Sequence, residues 1–120
     1  MDIKTLTSNY FEAFQNKDLF RLNDLFDDDE CYLRDWITEK TSKQEVLLLN
    51  KNLFANIQSI KVHVDNIYVQ GNTSVSEIEI VLDHGDKKDR ILVVDVLDFT
   101  EEGKIKSIRA YLGNATKAKN

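Results

Sequence analysis

The apolar side chains near the start of the chain recur every three or four residues. They are Ile3, Leu6, Tyr10, Phe11 and Phe14. Because this spacing places them on one stripe, it predicts an amphipathic first helix. Asp18 follows a polar break and is a favourable N-cap. The pattern therefore predicts a short second helix over 19–26.

The next stretch combines an acidic turn, a short strand and a third helix. The acidic run 27–30 is typical of a solvated turn. A metal site is the alternative, although the run lacks the glycine of a calcium loop. Residues 31–37 are predicted to form a short strand, followed by a turn over 38–41. Ser42 and Glu45 have the spacing of a capping box, which predicts a third helix running to about residue 56.

The second half of the chain alternates apolar and polar positions, as strands do. The alternation predicts four strands, over 60–69, 78–82, 91–99 and 105–112. The parity of the apolar positions changes at 65–66, which indicates a bulge. The strand over 91–99 is apolar on both faces, so we expect it to be central.

The order of these elements defines a fold class. Helices followed by consecutive antiparallel strands predict an α+β fold, with the helices packed on one face of a curved sheet. The chain has no proline, and no Gly/Ser-rich linker marks an internal boundary. We therefore expect one domain over 1–113 and a frayed C-terminal tail over 114–120.

Composition narrows the classes of function. The chain has 120 residues, 42% of them hydrophobic, and a formal net charge of −5. This charge argues against a uniformly basic nucleic-acid binder. The single cysteine, Cys31, excludes an internal disulfide and a cysteine-cluster metal site. The apolar runs are too short to cross a membrane, and the start carries no signal-peptide pattern, so we expect a cytoplasmic protein without a metal or cofactor.

Asp95 is the first candidate for chemistry. It lies in the middle of an otherwise apolar face of strand 91–99, whose other members are Ile91, Val93, Leu97 and Phe99. Burial would raise the pKa of this carboxyl, and a protonated carboxyl can donate a hydrogen bond to an oxyanion. The alternative is a structural ion pair with a lysine or with Arg109 on the next strand.

Tyr10 and Asp35 are the other two candidates. Tyr10 lies on the inward stripe of the first helix. It is either a core tyrosine with a satisfied hydroxyl or a second donor into a cavity that Asp95 also lines. Asp35 has the parity of Cys31 and Leu33, so we expect it to point to the buried side. It either turns the chain there or acts as a general base on a carbon acid.

Four stretches resemble a known superfamily. They are YFEAFQNKD at 10–18 with LFDDD at 25–29, LRDW at 33–36, and VDVLDF at 94–99 through GKIKSIRAY at 103–111. Their order resembles the nuclear transport factor 2-like cone, whose enzymatic branch includes ketosteroid isomerase and the SnoaL-like polyketide cyclases. The resemblance extends to Gly113 and implies a cystatin-like cone with an internal pocket.

The resemblance also implies roles for the three candidates. Tyr10 matches the oxyanion tyrosine of the ketosteroid isomerase branch, and Asp95 matches its protonated aspartic acid. Asp35 matches the catalytic base if one residue is inserted in the turn over 27–30. Without that insertion, Arg34 occupies the position of the base.

Two departures from the family pattern argue against a steroid substrate. Trp36 stands where the family has a proline after the base. Asn50 stands near the position of a supporting pocket tyrosine on the third helix.

Two functions fit these observations. One is a cofactor-free acid–base enzyme, an isomerase, cyclase or dehydratase acting next to a carbonyl. The other is a non-catalytic homodimer, formed through the sheet, that binds a small ligand or docks a protein. The expected ligand is a small apolar carbonyl or phenolic molecule. The pocket residues expected around it are Phe14, Leu33, Trp36, Leu97 and Phe99.

Overall fold

The computed structural model describes residues 1–117 and begins with the two predicted helices. Helix α1 spans Ile3–Gln15 and helix α2 spans Leu19–Leu25. Asp2 caps α1 by accepting hydrogen bonds from two backbone N–H groups of the first turn, and Asp18 caps α2 by accepting one from the Arg21 N–H. The first two helices and the predicted cap at Asp18 are therefore confirmed.

The segment after α2 differs from the sequence prediction. Strand β1 covers only Tyr32–Arg34, and a two-residue strand β2 follows at Glu39–Lys40. The strand predicted over 31–37 is thus too long, because the chain turns after Arg34. The Asp35 side chain closes this turn, and Ile37 projects outward with 83% of its surface exposed.

Helix α3 begins where the capping signal places it and spans Lys43–Asn56. The Ser42 hydroxyl accepts a hydrogen bond from the Glu45 backbone N–H at 3.2 Å. Val46, one turn into the helix, is fully buried. The third helix and its predicted end are confirmed.

Four long strands complete the sheet, β3 at Ser59–Gln70, β4 at Thr73–Asp83, β5 at Lys88–Phe99 and β6 at Ile105–Lys117. The strand order is β2-β1-β6-β5-β4-β3, so β5 lies inside the sheet, as predicted. All neighbouring strands are antiparallel except β1 and β6, which run parallel. The pairing of β3 with β4 shifts between Val64 and Asn66, at the predicted bulge.

The last strand is longer than the sequence suggested. A tail was predicted over 114–120, yet residues 114–117 continue β6 and pair with β5, where Thr116 lies opposite Arg90. Gly113 lies at a register shift between these two strands. The remainder of the predicted tail, 118–120, lies outside the described residues.

The helices cover one face of the open, curved sheet. On β5, Val93, Asp95 and Leu97 are buried, whereas the alternate residues Val94 and Val96 are partly exposed. The α+β architecture is confirmed, and its helix-facing, concave side holds both the core and the face on which Asp95 lies. Within residues 1–117, no helix has the length and apolar character needed to span a bilayer.

Lys17 joins the end of α1 to the end of α3. Its backbone has a positive φ of 54°, which is a left-handed conformation that glycine usually adopts after a helix. Its side-chain Nζ donates to the carbonyl oxygens of Ile57 and Gln58 at 2.8 and 3.2 Å. These carbonyls follow the last turn of α3, where a positive charge is favourable.

Replacing this lysine tests the link between the helices. Lys17→Met keeps the apolar stem but removes the charged donor, so we expect the free energy of unfolding to fall by about 1–2 kcal/mol. Lys61→Met, at an exposed position on β3, is the control. Urea unfolding monitored by circular dichroism measures both, and equal changes in the two variants would contradict the proposed link.

Candidate functional site

A cavity lies between the helices and the concave face of the sheet. Its volume is about 300 Å³, and apolar side chains from α1, α3 and strands β4, β5 and β6 form most of its wall. Its polar lining residues are Tyr10, Asp35, Trp36, Asn50 and Asp95. The three sequence candidates Tyr10, Asp35 and Asp95 therefore lie on one common space.

Asp95 is a buried carboxyl without a counter-charge. Its residue is 7% exposed, and within the described residues it makes no ion pair or side-chain hydrogen bond. Ser76 on β4 and Ala110 on β6 lie directly opposite it. Burial, together with the smaller effect of the negative charge of Asp35, raises the pKa of Asp95 to about 7.

Arg109 does not pair with Asp95. Its guanidinium contacts the Asp98 carboxylate at 2.5 Å, and Val96 is its neighbour across the strands. Because side chains of directly opposed residues lie on the same face of a sheet, Arg109 belongs to the convex face. The alternative of a structural Asp95–Arg109 pair is therefore wrong, since the register between 93 and 97 aligns odd positions of β5 with even positions of β6.

Tyr10 is held in an aromatic cluster beside the cavity. The residue is 6% exposed, and its ring centroid lies 5.5 Å from that of Phe11 and 6.2 Å from that of Phe26. Burial raises the pKa of the phenol well above its ordinary value, and the charge of Asp95 acts in the same direction. The hydroxyl has no hydrogen-bond partner among the described residues, so it remains a protonated donor available to a ligand.

Asp35 has one oxygen in the turn and a second oxygen with no partner. Its Oδ1 accepts hydrogen bonds from the backbone N–H groups of Ile37 and Thr38 at 2.8 and 2.7 Å. Its Oδ2 has no hydrogen-bond partner within the part of the chain that the structure describes. The side chain thus closes the turn, one of the two predicted alternatives, and also lines the cavity.

Arg34 points away from this cavity. It is exposed, and its guanidinium donates to the hydroxyl of Tyr111 at 3.1 Å. Because consecutive residues alternate between the faces of a strand, β1 directs Arg34 outward and leaves Leu33 buried. Asp35, rather than Arg34, is therefore the residue of this pair that lines the cavity.

Three of the five predicted pocket residues line the cavity and two do not. Phe14, Leu33 and Trp36 contribute to its wall. Leu97 and Phe99 lie further along β5, where they are 0% and 2% exposed within the core. Phe99 borders a separate acidic hollow of about 530 Å³. The structure thus places Leu97 and Phe99 away from this cavity, because shared parity fixes a face of the sheet but not a position along it.

Sequence reasoning did not include Asn50 among the site residues. Asn50 is 5% exposed, lines the cavity, and uses its Nδ2 to donate to the Val46 carbonyl at 2.9 Å. The signal available was helical spacing, since Asn50 follows the buried Val46 by four residues. A polar residue on that inward stripe indicates contact with a cavity or a buried partner.

The described residues contain no group of three or more His, Cys, Asp or Glu side chains arranged to hold a metal ion. Cys31 is buried, and burial raises the pKa of its thiol to about 11. A thiol at that pKa is largely protonated near neutral pH, so it is a poor nucleophile.

The chain belongs to the SnoaL-like domain family, which its sequence matches over residues 7–108. Among curated proteins, no sequence matches this chain. The family assignment agrees with the order of helices and strands described above.

Solved structures share the fold at low sequence identity. The epoxide hydrolase/cyclase-like enzyme SalBIII, which has a role in pyran ring formation in the polyether salinomycin, has a TM-score of 0.85 and 15% identity over 97% of this chain and 95% of its own. An LEH-like epoxide hydrolase from M. tuberculosis has a TM-score of 0.81 and 17% identity over 90% of this chain and 80% of its own. A protein named as a candidate ketosteroid isomerase, from Kribbella flavida, has a TM-score of 0.78 and 14% identity over 98% of this chain and 82% of its own.

The pKa of Asp95 predicts an unusual dependence of stability on pH. An unfolded Asp loses its proton near pH 4, whereas native Asp95 keeps it up to about pH 7. The folded state binds more protons between these values, so its stability is fully present below about pH 4 and falls as the pH rises to 7. The loss is up to about 4 kcal/mol, and Asp95→Asn should remove it.

Urea unfolding at pH 4 and pH 8 measures this effect. We expect Asp95→Asn to be more stable than the wild type at pH 8 and similar to it at pH 4. Asp86→Asn, in an exposed turn, controls for the loss of one negative charge. If Asp95→Asn and Asp86→Asn change stability equally at both pH values, Asp95 ionises as a solvated carboxyl does.

Proposed function

We propose that this protein is a cofactor-free acid–base catalyst that acts next to the carbonyl of a small apolar substrate. The observation that carries the proposal is Asp95, a buried carboxyl with no counter-charge that shares a cavity with Asp35 and Tyr10. Two carboxyl groups in such different environments are suited to different roles, one as a neutral donor and the other as a base.

The reaction begins at the carbon beside the carbonyl. Asp35 Oδ2 accepts the proton from this carbon, and the electron pair of the C–H bond moves towards the carbonyl oxygen to form an enolate. Tyr10 and protonated Asp95 donate hydrogen bonds to that oxygen as its charge develops. Return of the proton at another carbon gives isomerisation. Attack of the enolate carbon on a second carbonyl of the substrate, whose oxygen takes the proton from Asp35, gives cyclisation. Loss of a β-hydroxyl, which takes that proton and leaves as water, gives dehydration.

The cavity wall supports a neutral, apolar substrate. Aliphatic and aromatic side chains dominate the wall, and neither Lys, Arg nor His is among its described lining residues. A carboxylate or phosphate would therefore meet two acidic side chains and no cation to offset its desolvation. A volume of about 300 Å³ fits a small ring compound, and lies at the lower end of ligand pockets.

Exchange of the α-protons of a cyclohexenone for deuterium, followed by NMR, tests Asp35 as the base and Asp95 as a hydrogen-bond donor. Asp35→Asn should slow exchange by roughly 10²–10⁴-fold, because it removes the proton acceptor. In the wild type, exchange should decline above about pH 7 as Asp95 loses its proton. Asp95→Asn retains a neutral donor and should lack this decline.

The control is Asp86→Asn, whose exposed side chain lies away from the cavity. Exchange in Asp35→Asn at the wild-type rate would overturn the assignment of the base. Binding of a nitrophenol, which resembles an enolate, provides a separate test of the two donors. Tight binding that survives the double change Tyr10→Phe and Asp95→Ala would show that these groups do not form an oxyanion hole.

The convex face supports a second proposal, a homodimer formed through the sheet, whether or not the protein is catalytic. Val75, Val94 and Val96 are partly exposed there, and Tyr68 and Tyr111 are 57% and 48% exposed. Aromatic and aliphatic side chains of this kind are typical of the centre of an interface. A second copy of the same face would cover them symmetrically.

Light scattering after size-exclusion chromatography tests the dimer. The wild type should elute as a dimer, and Val96→Arg should weaken association by roughly a hundredfold or more, since it places an unpaired charge in the interface. Phe20→Arg, which changes an 83% exposed side chain on α2, is the control and should leave the dimer intact. A monomeric wild type at micromolar concentration would contradict this proposal.

A further inference from the structure

Ser76 has an unsatisfied hydroxyl beside Asp95. Its residue is 0% exposed, and its Oγ is the one fully buried side-chain polar atom within the described residues that lacks a hydrogen-bond partner. Ser76 lies directly opposite Asp95 in the pairing of β4 with β5, so both side chains project from the concave face. Buried hydroxyls normally have partners, so this exception requires an explanation.

The neighbouring serine shows that the helices can satisfy a hydroxyl on this face. Ser74, two positions earlier on β4, is also 0% exposed, and its Oγ accepts a hydrogen bond from Thr7 of α1 at 2.7 Å. It lies opposite the apolar Leu97. The two serines thus differ in their cross-strand neighbour, and the unsatisfied one faces the carboxyl.

We propose that Ser76 is a positioning residue for Asp95, whose hydroxyl donates a hydrogen bond to the carboxylate whenever Asp95 gives up its proton. The inference rests on the proposed function, in which Asp95 is the acidic donor. It extends that function by assigning the group that stabilises the ionised form of the donor.

The reach of the two side chains supports this assignment. Directly opposed residues of antiparallel strands have Cβ atoms about 4.5–5.5 Å apart. At this separation a change of rotamer at either side chain can bring Ser76 Oγ and an Asp95 oxygen within hydrogen-bond distance. An ionised carboxyl accepts but cannot donate, so it needs a neighbouring donor once it is buried.

The other groups facing Asp95 are less suited to this role. Tyr10 projects from α1 and donates to the substrate oxygen in the proposed reaction. Asp35, from the turn after β1, adds negative charge. Asn50, from α3, uses its amide donor on the Val46 carbonyl. Ala110 of β6 has no polar side-chain atom. Ser76 is therefore the donor facing Asp95 that the proposed reaction does not use for another purpose.

The test is an NMR titration of the Asp95 side-chain carbonyl carbon in the ligand-free protein. A hydrogen bond to the charged form lowers the pKa of a carboxyl, so Ser76→Ala should raise the midpoint by about one pH unit, a tenfold change in acid dissociation. Ser76→Cys, which has a similar shape and a weaker donor, should give a smaller rise. Ser74→Ala is the matched control and should leave the midpoint of Asp95 unchanged.

Thermal unfolding distinguishes this role from a purely structural one. Ser76→Ala removes an unsatisfied hydroxyl, so it should raise Tm at pH 5 by a few degrees and lose this advantage at pH 9, where the wild-type hydroxyl has its partner. Ser74→Ala should lower Tm at both pH values, because it leaves the Thr7 hydroxyl without an acceptor.

The titration separates failure of this inference from failure of the proposed function. An unchanged Asp95 midpoint in both Ser76 variants would overturn the role of Ser76, whatever the activity of the protein. A shifted midpoint together with no α-proton exchange in the wild type would support the Ser76–Asp95 contact and overturn the catalytic proposal.

Discussion

The burial of one carboxyl on the concave face of the sheet governs the character of this site. Placing Asp95 among apolar strands costs solvation free energy, and no described cation offsets that cost. The carboxyl therefore holds its proton to about pH 7. In the proposed reaction, this constraint makes Asp95 a neutral hydrogen-bond donor beside the Tyr10 phenol and the Asp35 carboxylate, which line the same cavity.

The two faces of the sheet separate acidic groups of different character. On the convex face, Asp98 is paired with Arg109, and hydrogen bonds from Thr73 and Arg109 hold the pKa of Asp98 below its ordinary value despite partial burial. On the concave face, Asp95 has no such partner, and burial dominates. Two aspartates three positions apart on β5 thus have opposite pKa shifts, because alternation of the strand gives them different neighbours.

Local rules account for most of the elements. Helical spacing defined α1 and α3, and side-chain caps at Asp18 and Ser42 fixed where two helices begin. Local rules failed after β1, where parity predicted that the strand would continue to Ile37. The Asp35 carboxylate instead bonds to two backbone N–H groups and turns the chain. The Asp35 side chain competes with the neighbouring strand for these backbone N–H groups, and the side-chain hydrogen bonds end β1 at Arg34.

The sequence by itself determined the fold class and identified Tyr10, Asp35 and Asp95, because amphipathic periodicity reports which side chains turn inward. Only the tertiary structure decided that all three line one cavity. The strand register places Ser76 and Ala110 beside Asp95 and places Arg109 on the opposite face of the sheet. Leu97 lies within the core. Register depends on contacts between residues distant in the chain, so the pattern within any one segment cannot reveal it.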